Sequence, residues 1–316
     1  MSRINKGNFL LPFILILLTL WGIGGCTAGK WGFIDKADKM AISPRFDDVT
    51  PFTEGLAAVK VGTKWGYIDK EGKIVIEPQF DGAWRFREGL SAVLSAGKWG
   101  YIDKTAKFVI PPQFEEASSF YEGLAPAKSS GKWGYIDKSG NFSIKPQFDY
   151  AWHFSEGLAA IKTEGHWGFI DKTGTIVIKP VLDGVLSFSD GMAAVLIRNK
   201  RGFIDKTGQI IIKPQFDNVL SFSEGLAPAK DGYYWGFIDK DGKNVIKPQF
   251  ERAFSFSEGL APVKVVDKWG YIDKDGKMVI KPQYDGAYPF ADGLAIVKIG
   301  HETGYIDKTG RYLPIL

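Results

Sequence analysis

Chemistry needs a nucleophile, an acid-base pair or a metal-binding set, and this chain of 316 residues is poor in the residue types that supply them. It has three histidines, His153, His166 and His301, and one cysteine, Cys26. His153 lies next to Trp152, and His166 stands where most related segments have Lys. Neither has a Cys or acidic cluster at metal-ligand spacing, so the histidines read as surface residues. The runs Asp239-Lys240-Asp241-Gly242 and Asp273-Lys274-Asp275-Gly276 faintly suggest a calcium loop. Calcium wants more oxygen ligands and a distal bidentate Glu, and each run holds a Lys between its acids, so hairpin turns are the better reading. No nucleophile motif, phosphate loop or zinc signature appears. The sequence therefore predicts no enzyme, no cofactor and no metal site.

The elements that would position any site are set by self-similarity. Trp-Gly pairs begin at Trp31, Trp65, Trp99, Trp133, Trp167, Trp235 and Trp269, and Arg201-Gly202 and Thr303-Gly304 fill the gaps, every interval being 34 residues. That period also belongs to helical tetratricopeptide pairs, but the content of the unit decides against helices. Most units carry Gly at three places and Pro at one, which cost a helix interior about 1 and 3 kcal/mol each. Short runs such as Leu56 to Lys60, Lys64 to Asp69 and Lys73 to Ile76 read as three strands per unit.

The turns have their own chemistry. Asp69-Lys70-Glu71-Gly72-Lys73 fits a hairpin loop with Gly at the left-handed position and the Asp side chain bonding forward to backbone amides. Asp38 and Ala106 replace that Gly in the first and third units, and Ala106 predicts local strain or an altered turn. A second turn sits at Glu88-Gly89, after a loop from Pro78 that holds Phe80 and Phe86. A three-stranded unit cannot bury both its faces alone, so neighbours must stack on it. Trp65, Tyr67, Phe80 and Phe86 would then form core ladders, each ring removing about 150–250 Å² from water. The Asp-Lys pairs of the turns would stack as mixed charge. Eight Leu-Ala strands against nine Trp-Gly strands leave no surplus strand to close a ring. The fold class expected is an all-β, open, solenoid-like array of three-stranded meanders, with a closed propeller-like ring of about eight blades as the alternative.

The repeated K-W-G-[YF]-I-D-K with downstream P-Q-F and E-G-L-A resembles the WG-repeat, or KWG-repeat, family of bacterial proteins. The resemblance runs from Lys30 to about Arg311, with units starting near 31, 65, 99, 133, 167, 201, 235, 269 and 303. Departures are Arg201 and Thr303 at the Trp position and Val181-Leu182 in place of Gln-Phe, which put packing at the sixth and ninth levels in question. The family implies β-rich repeats and no defined catalytic residues.

The amino terminus has a different character. Arg3 and Lys6 precede an apolar run from Phe9 to Leu20, followed by Ile23-Gly24-Gly25-Cys26. A basic start, a short apolar stretch and small residues read as an export signal, too short for a comfortable spanning helix. The tetrapeptide resembles the lipobox of bacterial lipoproteins, which implies cleavage after residue 25, lipidation of Cys26 and a mature domain of residues 26–316. The expected place is the bacterial cell envelope, anchored in the membrane by lipid. Thr27 after the cysteine favours the outer membrane where one exists. The folded part then has no cysteine and no disulfide, so its core supplies its stability. Removing Arg3 and Lys6 from 40 basic residues leaves 38 against 36 acidic ones. So small an excess argues against a nucleic-acid partner.

Agreement between units reports shared packing, and variation marks positions free to face a partner. The most variable loop position reads Thr50, Trp84, Ser118, Trp152, Leu186, Leu220, Phe254 and Tyr288. If exposed, this column is a stripe able to stack on sugars or receive a protein; if buried, it is only core. Arg85 and His153 beside the two tryptophans favour exposure, so Trp84, Arg85, Trp152, His153, Phe254 and Tyr288 are the candidate ligand-binding residues. The sequence predicts an envelope binding module or scaffold for glycan or protein, with a structural spacer as the alternative. The glycan suggestion is by analogy with the Trp- and Gly-rich choline-binding repeats of cell-wall proteins, whose unit is shorter.

Overall fold

The computed structural model describes residues 15–18, 30–34, 40–300 and 302–313. The described elements are all strands and turns. One period builds one antiparallel sheet. Between residues 48 and 80 the strands Asp48–Val49, Ala57–Val61, Lys64–Ile68 and Ile74–Phe80 lie side by side in chain order. They are called here the edge, Leu-Ala, Trp-Gly and proline strands. The same sheet recurs down to residues 252–284, and a last one spans Gly286–Ala287, Leu294–Ile299, Glu302–Asp307 and Tyr312–Leu313.

Two expectations are corrected. A two-residue edge strand adds a fourth member to the three-stranded unit. The proline strand also runs through Pro78 to Phe80, where a loop was expected. A bulge makes this possible: Trp65 faces Phe80 and Tyr67 faces Ile76, so a two-residue step on one strand meets a four-residue step on the other. Proline is tolerated at such a bulge because its missing N–H is not asked for by the ladder. The bulged backbone crosses directly over Gly66. A Cβ there would collide with the Ile76 carbonyl and stand 2.7 Å from the Pro78 nitrogen. This close approach accounts for the glycine of every Trp-Gly pair from Gly32 to Gly270.

The Asp turn forms as expected: the Asp103 carboxylate accepts the N–H of Thr105 at 2.9 Å and of Lys107 at 3.1 Å. Ala106 keeps the turn unaltered and takes the strain instead, with φ 68°. The position of Asp38 lies outside the described residues. At the second turn Glu88 and Gly89 are both left-handed, with φ 51° and 85°, and Arg87 bridges to Leu90. That is the turn type whose twist suits a two-residue hairpin.

The core lies between consecutive sheets. Tyr67 packs on Phe86 of the next sheet with ring centroids 4.9 Å apart, and the contact recurs as Tyr101–Phe120, Phe203–Phe222 and Tyr271–Phe290. Each such pair adds about 0.5–1.5 kcal/mol to the area it buries. Phe80 and Phe86 are buried as expected, but Trp65 is only half-buried and lies at the margin of the core. The turn charges also pair differently from the expectation. Glu54 accepts the N–H of Gly89 at 3.1 Å and pairs with Lys104 at 3.3 Å, both on the next sheet. The pattern repeats down the array, as in Glu224 with Gly259 and Lys274. Such exposed pairs contribute about 0–1 kcal/mol each and act mainly to fix register. The inter-sheet bonds found among the described residues join consecutive sheets, and the fold is an open, solenoid-like repeat array with no closed barrel.

Arg201 and Thr303 leave the Trp-Gly strands of their sheets in the usual pairing. Leu182 is buried in place of Phe, and Val181 is exposed. Leu15–Leu18 pairs with Lys30–Ile34, where other sheets have their Leu-Ala strand. The rest of the expected leader, with Cys26, lies outside the described residues. No helix among the described residues is long and apolar enough to cross a membrane.

Candidate functional site

The variable column stands immediately after the edge strands, and the backbone holds it tightly. The N–H groups of Trp84 and Trp152 donate to Ala92 and Ala160 at 2.9 Å, those of Phe254 and Tyr288 to Pro262 and Ile296 at 3.1 and 3.0 Å. At several levels the carbonyl of the column residue is also held. The buried hydroxyls of Tyr67, Tyr135 and Tyr271, on the preceding sheets, donate to Trp84, Trp152 and Tyr288 at 3.0, 2.8 and 2.8 Å. Burial pushes these phenols well above the ordinary tyrosine range, so they remain donors.

Pinned in this way, the side chains turn outward. None of the eight column residues is buried, and Trp84 and Tyr288 are 46% and 47% exposed. Each aromatic leans on the Trp-Gly tryptophan of its own sheet: Trp84 on Trp99 at 6.4 Å, Trp152 on Trp167 at 5.3 Å, Phe254 on Trp269 at 5.3 Å with planes 17° apart. At Tyr288 the partner position is Thr303. The Trp-Gly tryptophan, half-buried at Trp99 and Trp167 and buried at Trp269, is thus the floor of the column.

The column deepens at one level. Asp149, Tyr150, Trp152, Lys162, Gly165 and Trp167 line an open cleft of about 540 Å³. Tyr150, 46% exposed, lies 5.6 Å from Trp133 and 5.9 Å from Trp167. The Lys162 ammonium sits 5.8 Å from the Trp167 centroid. Asp149 is held by Lys132 at 2.6 Å and by the N–H of Glu164 at 2.9 Å, and the Lys132 contact keeps its carboxyl below the usual range. Aromatic faces with a fixed carboxylate and an ammonium at the rim can stack on an apolar ring face and hydrogen-bond to hydroxyls around it. The sequence reading missed Tyr150, Trp167, Asp149 and Lys162. A signal was available, since Tyr150 is the single aromatic in a position otherwise filled by Asp48, Gly82, Glu116, Gly184, Asn218, Arg252 and Gly286.

Arg85 and His153 belong to a different grouping. Both are half-buried. The His153 ring stacks on Tyr121 with centroids 4.1 Å apart, and Arg87 lies over the same Tyr121 ring at 4.5 Å. Arg85 is hydrogen-bonded to Tyr121. Burial first, then Arg87 and Arg85, push the His153 imidazole below its ordinary value, against the opposing influence of Glu122. His166 is exposed, with a ring nitrogen 3.1 Å from the Glu164 carbonyl; His301 lies outside the described residues. In the loop once compared with a calcium site, Asp239 accepts the N–H groups of Asp241 and Lys243 at 3.0 and 2.9 Å, as a turn requires. No group of three His, Cys, Asp or Glu among the described residues is placed to hold a metal ion.

Among solved structures, a crystal structure of a eukaryotic initiation factor is similar in fold, with a TM-score of 0.61 at 11% identity over 89% of this chain and 92% of that one. Weaker likenesses are to dihydro-heme d1 dehydrogenase NirN in complex with DHE, at a TM-score of 0.46, 12% identity and 79% and 70% coverage, and to Hsv2p of Kluyveromyces lactis, at 0.43, 10%, 80% and 89%. No curated protein is significantly similar in sequence. A model of the WG containing repeat matches residues 31–65, 65–99, 99–133, 133–165, 167–200, 202–235, 235–269 and 269–300. The strict period, the bulge over each Trp-Gly glycine and this match along nearly the whole array make the chain a member of the WG-containing repeat family.

Proposed function

We propose that the protein is a non-catalytic binding module of the bacterial cell envelope, and that its aromatic column engages a glycan, with the cleft at Trp152 as the main subsite. The observation that carries this reading is the cleft itself, in which Tyr150, Trp152 and Trp167 present ring surface beside Asp149 and Lys162. A protein needing only a scaffold gains nothing from half-exposed tryptophans, because apolar surface left in water forgoes about 25 cal/mol per Å². Rings fixed by backbone bonds on both sides also lose little freedom on binding, which favours affinity. A protein ligand would use the same ring surface, but the charged groups at the rim suit sugar hydroxyls.

The anchoring half of the proposal rests on the sequence alone: lipid on Cys26 would tether residues 26–316 to the membrane, the outer one where the cell has two. Palmitate labelling tests it, and labelling that persists in Cys26→Ser, or processing indifferent to globomycin, would remove it. The glycan half is tested by sedimenting the protein with purified peptidoglycan and with other envelope polysaccharides. Trp152→Ala should release it from the polymer with an unchanged circular dichroism spectrum. Equal co-sedimentation of wild type and variant, or none with any polymer, favours a spacer instead.

A further inference from the structure

We propose that the hairpin tips joining the Leu-Ala and Trp-Gly strands dock on the surface of a lipid bilayer, with Tyr233 and Val266 reaching into its headgroup layer. Each tip is a two-residue turn at the same end of its sheet, and consecutive sheets stack in one register. At four levels the turn is small or polar: Ala96-Gly97, Ser130-Gly131, Glu164-Gly165 and Arg198-Asn199. The next two levels break that pattern with Gly232-Tyr233 and Val266-Asp267. Tyr233 and Val266 are 89% and 80% exposed, and Tyr234 and Ile299 are exposed beside the turns of their own sheets. Val266 is also held left-handed, at φ 45°, where the four preceding levels place Ala, Ser, Glu and Arg. A β-branched side chain resists that backbone, and so exposed a position gives it little packing in return. The fold asks for neither residue.

Three observations select a bilayer as the occupant. The first is the tether. Lys30 opens the Trp-Gly strand of the first sheet and bonds to Asp47 as Lys64 bonds to Asp81, so it stands where a hairpin tip ends. Cys26 precedes it by four residues, at most about 14 Å of extended chain. On the lipoprotein reading, on which this inference rests, the acyl chains therefore leave the molecule from the face that carries the tips. The second is the form of the apolar surface. It consists of one or two side chains at each hairpin end, parted by Asp231, Asp267 and Lys268, whereas a protein partner asks for a continuous buried centre. Separate wedges suit a fluid headgroup layer, and tyrosine suits its depth, with the ring in apolar matter and the hydroxyl in water. The third is charge. Lys264 pairs with Asp267 and Lys268 with Asp285, and Asp231 adds an acid. The attraction is therefore apolar and does not call for anionic lipid. The Trp152 cleft, lined by the tip residue Gly165, reaches the same end of its sheet. On the glycan reading, its sugars are then those borne at the membrane surface.

The test follows a tip in the product of the full-length gene, purified from membranes and reconstituted in phosphatidylcholine vesicles free of glycolipid. Val266→Cys carries a polarity-sensitive fluorophore. Val245→Cys is the reference, exposed on a proline strand beside Asn244, which pairs with Ile238 at the far end of the Trp-Gly strand from its tip. The label at 266 should shift to the blue, lose most of its quenching by aqueous iodide and be quenched by lipid spin-labelled near the headgroup, while the label at 245 stays in water. Equal iodide quenching at the two positions would overturn the proposal. So would a label at 266 that is shielded from iodide yet untouched by spin-labelled lipid, which would assign the tip to a protein contact. A lipidated Cys26 has no free thiol, so wild-type chain that itself takes up label refutes the tether reading. The tip comparison is then read in a Cys26→Ser background, and the two failures are told apart. Val266→Gly is the structural control: relief of the left-handed strain should raise the melting temperature, and a fall would show that Val266 serves the fold, against the proposal.

Discussion

In the sheets spanning 184–216, 218–250 and 252–284, the loop before the Leu-Ala strand carries serine at both inner positions: Ser187 and Ser189, Ser221 and Ser223, Ser255 and Ser257. Ser189, Ser223 and Ser257 donate to the carbonyls of Phe222, Phe256 and Phe290 of the next sheet at 2.7–2.8 Å. In the sheets spanning 82–114 and 116–148 the same loop carries Arg85 and Arg87, then Ser119 and Tyr121, and His153 follows at 150–182. The backbone is unchanged, since Arg87 and Ser223 make the same turn bond at 2.8 and 3.0 Å. The regular levels show what stacking alone asks for: a small hydroxyl that satisfies a carbonyl. The irregular levels carry more than that, and the open cleft lined by Tyr150, Trp152 and Trp167 lies in the same part of the chain.

The comparison can be broken most forcefully through the shared scaffold. Gly100→Ala and Gly236→Ala each place a Cβ 2.7 Å from a proline nitrogen, and each should cost about 3 kcal/mol in urea denaturation. A difference beyond about 1 kcal/mol would mean that the two regions do not share one scaffold. Ala106→Gly removes a left-handed alanine found at this turn in the irregular region and should stabilise by about 1 kcal/mol, read as a rise in melting temperature. Arg87→Ser restores the serine of the regular levels. It removes a shielded Nε and offers a hydroxyl to the Phe120 carbonyl, so stability should rise by about 0.5–1 kcal/mol. A clear loss would show that the arginine serves the fold.

The smallest effect is in pH. His153 titrates below its ordinary value in the folded chain because of burial and the two arginines. The unfolded chain therefore binds more protons, and stability should fall as pH drops through the unfolded histidine value of about 6.5 towards the folded one. His153→Gln should flatten that limb in denaturation curves at pH 7 and pH 5, and an equal slope in both proteins would refute the environment described for His153.

Much of the scaffold was legible because stacking forces equivalent positions to agree. The period, three of the four strands, the Asp turn and the Glu-Gly turn all follow from local chemistry that any 34-residue unit displays. The two-residue edge strands were not legible, since two residues carry no periodicity. Nor was the bulge, because Pro78 reads as a strand end until Gly66 is seen beneath it. Trp65 was misassigned for a related reason: a large aromatic at a fixed position looks like core at every level, whereas Trp133 and Trp269 are buried and Trp65, Trp99 and Trp167 are half-buried. The column was found by its variation, whereas Tyr150 and the Arg87–Tyr121–His153 stack were missed. Their positions differ by 34 and 32 residues, so the stack emerges only when consecutive sheets are laid over one another.

The central claim, recognition by the irregular levels, is tested most directly by envelope-polysaccharide binding of the double variant Trp84→Ala/Trp152→Ala, measured beside Leu186→Ala/Leu220→Ala from the regular levels. The account predicts that the first pair abolishes binding and the second leaves it within about twofold, both with native circular dichroism. Equal losses in the two variants, or full binding by the first, would contradict it.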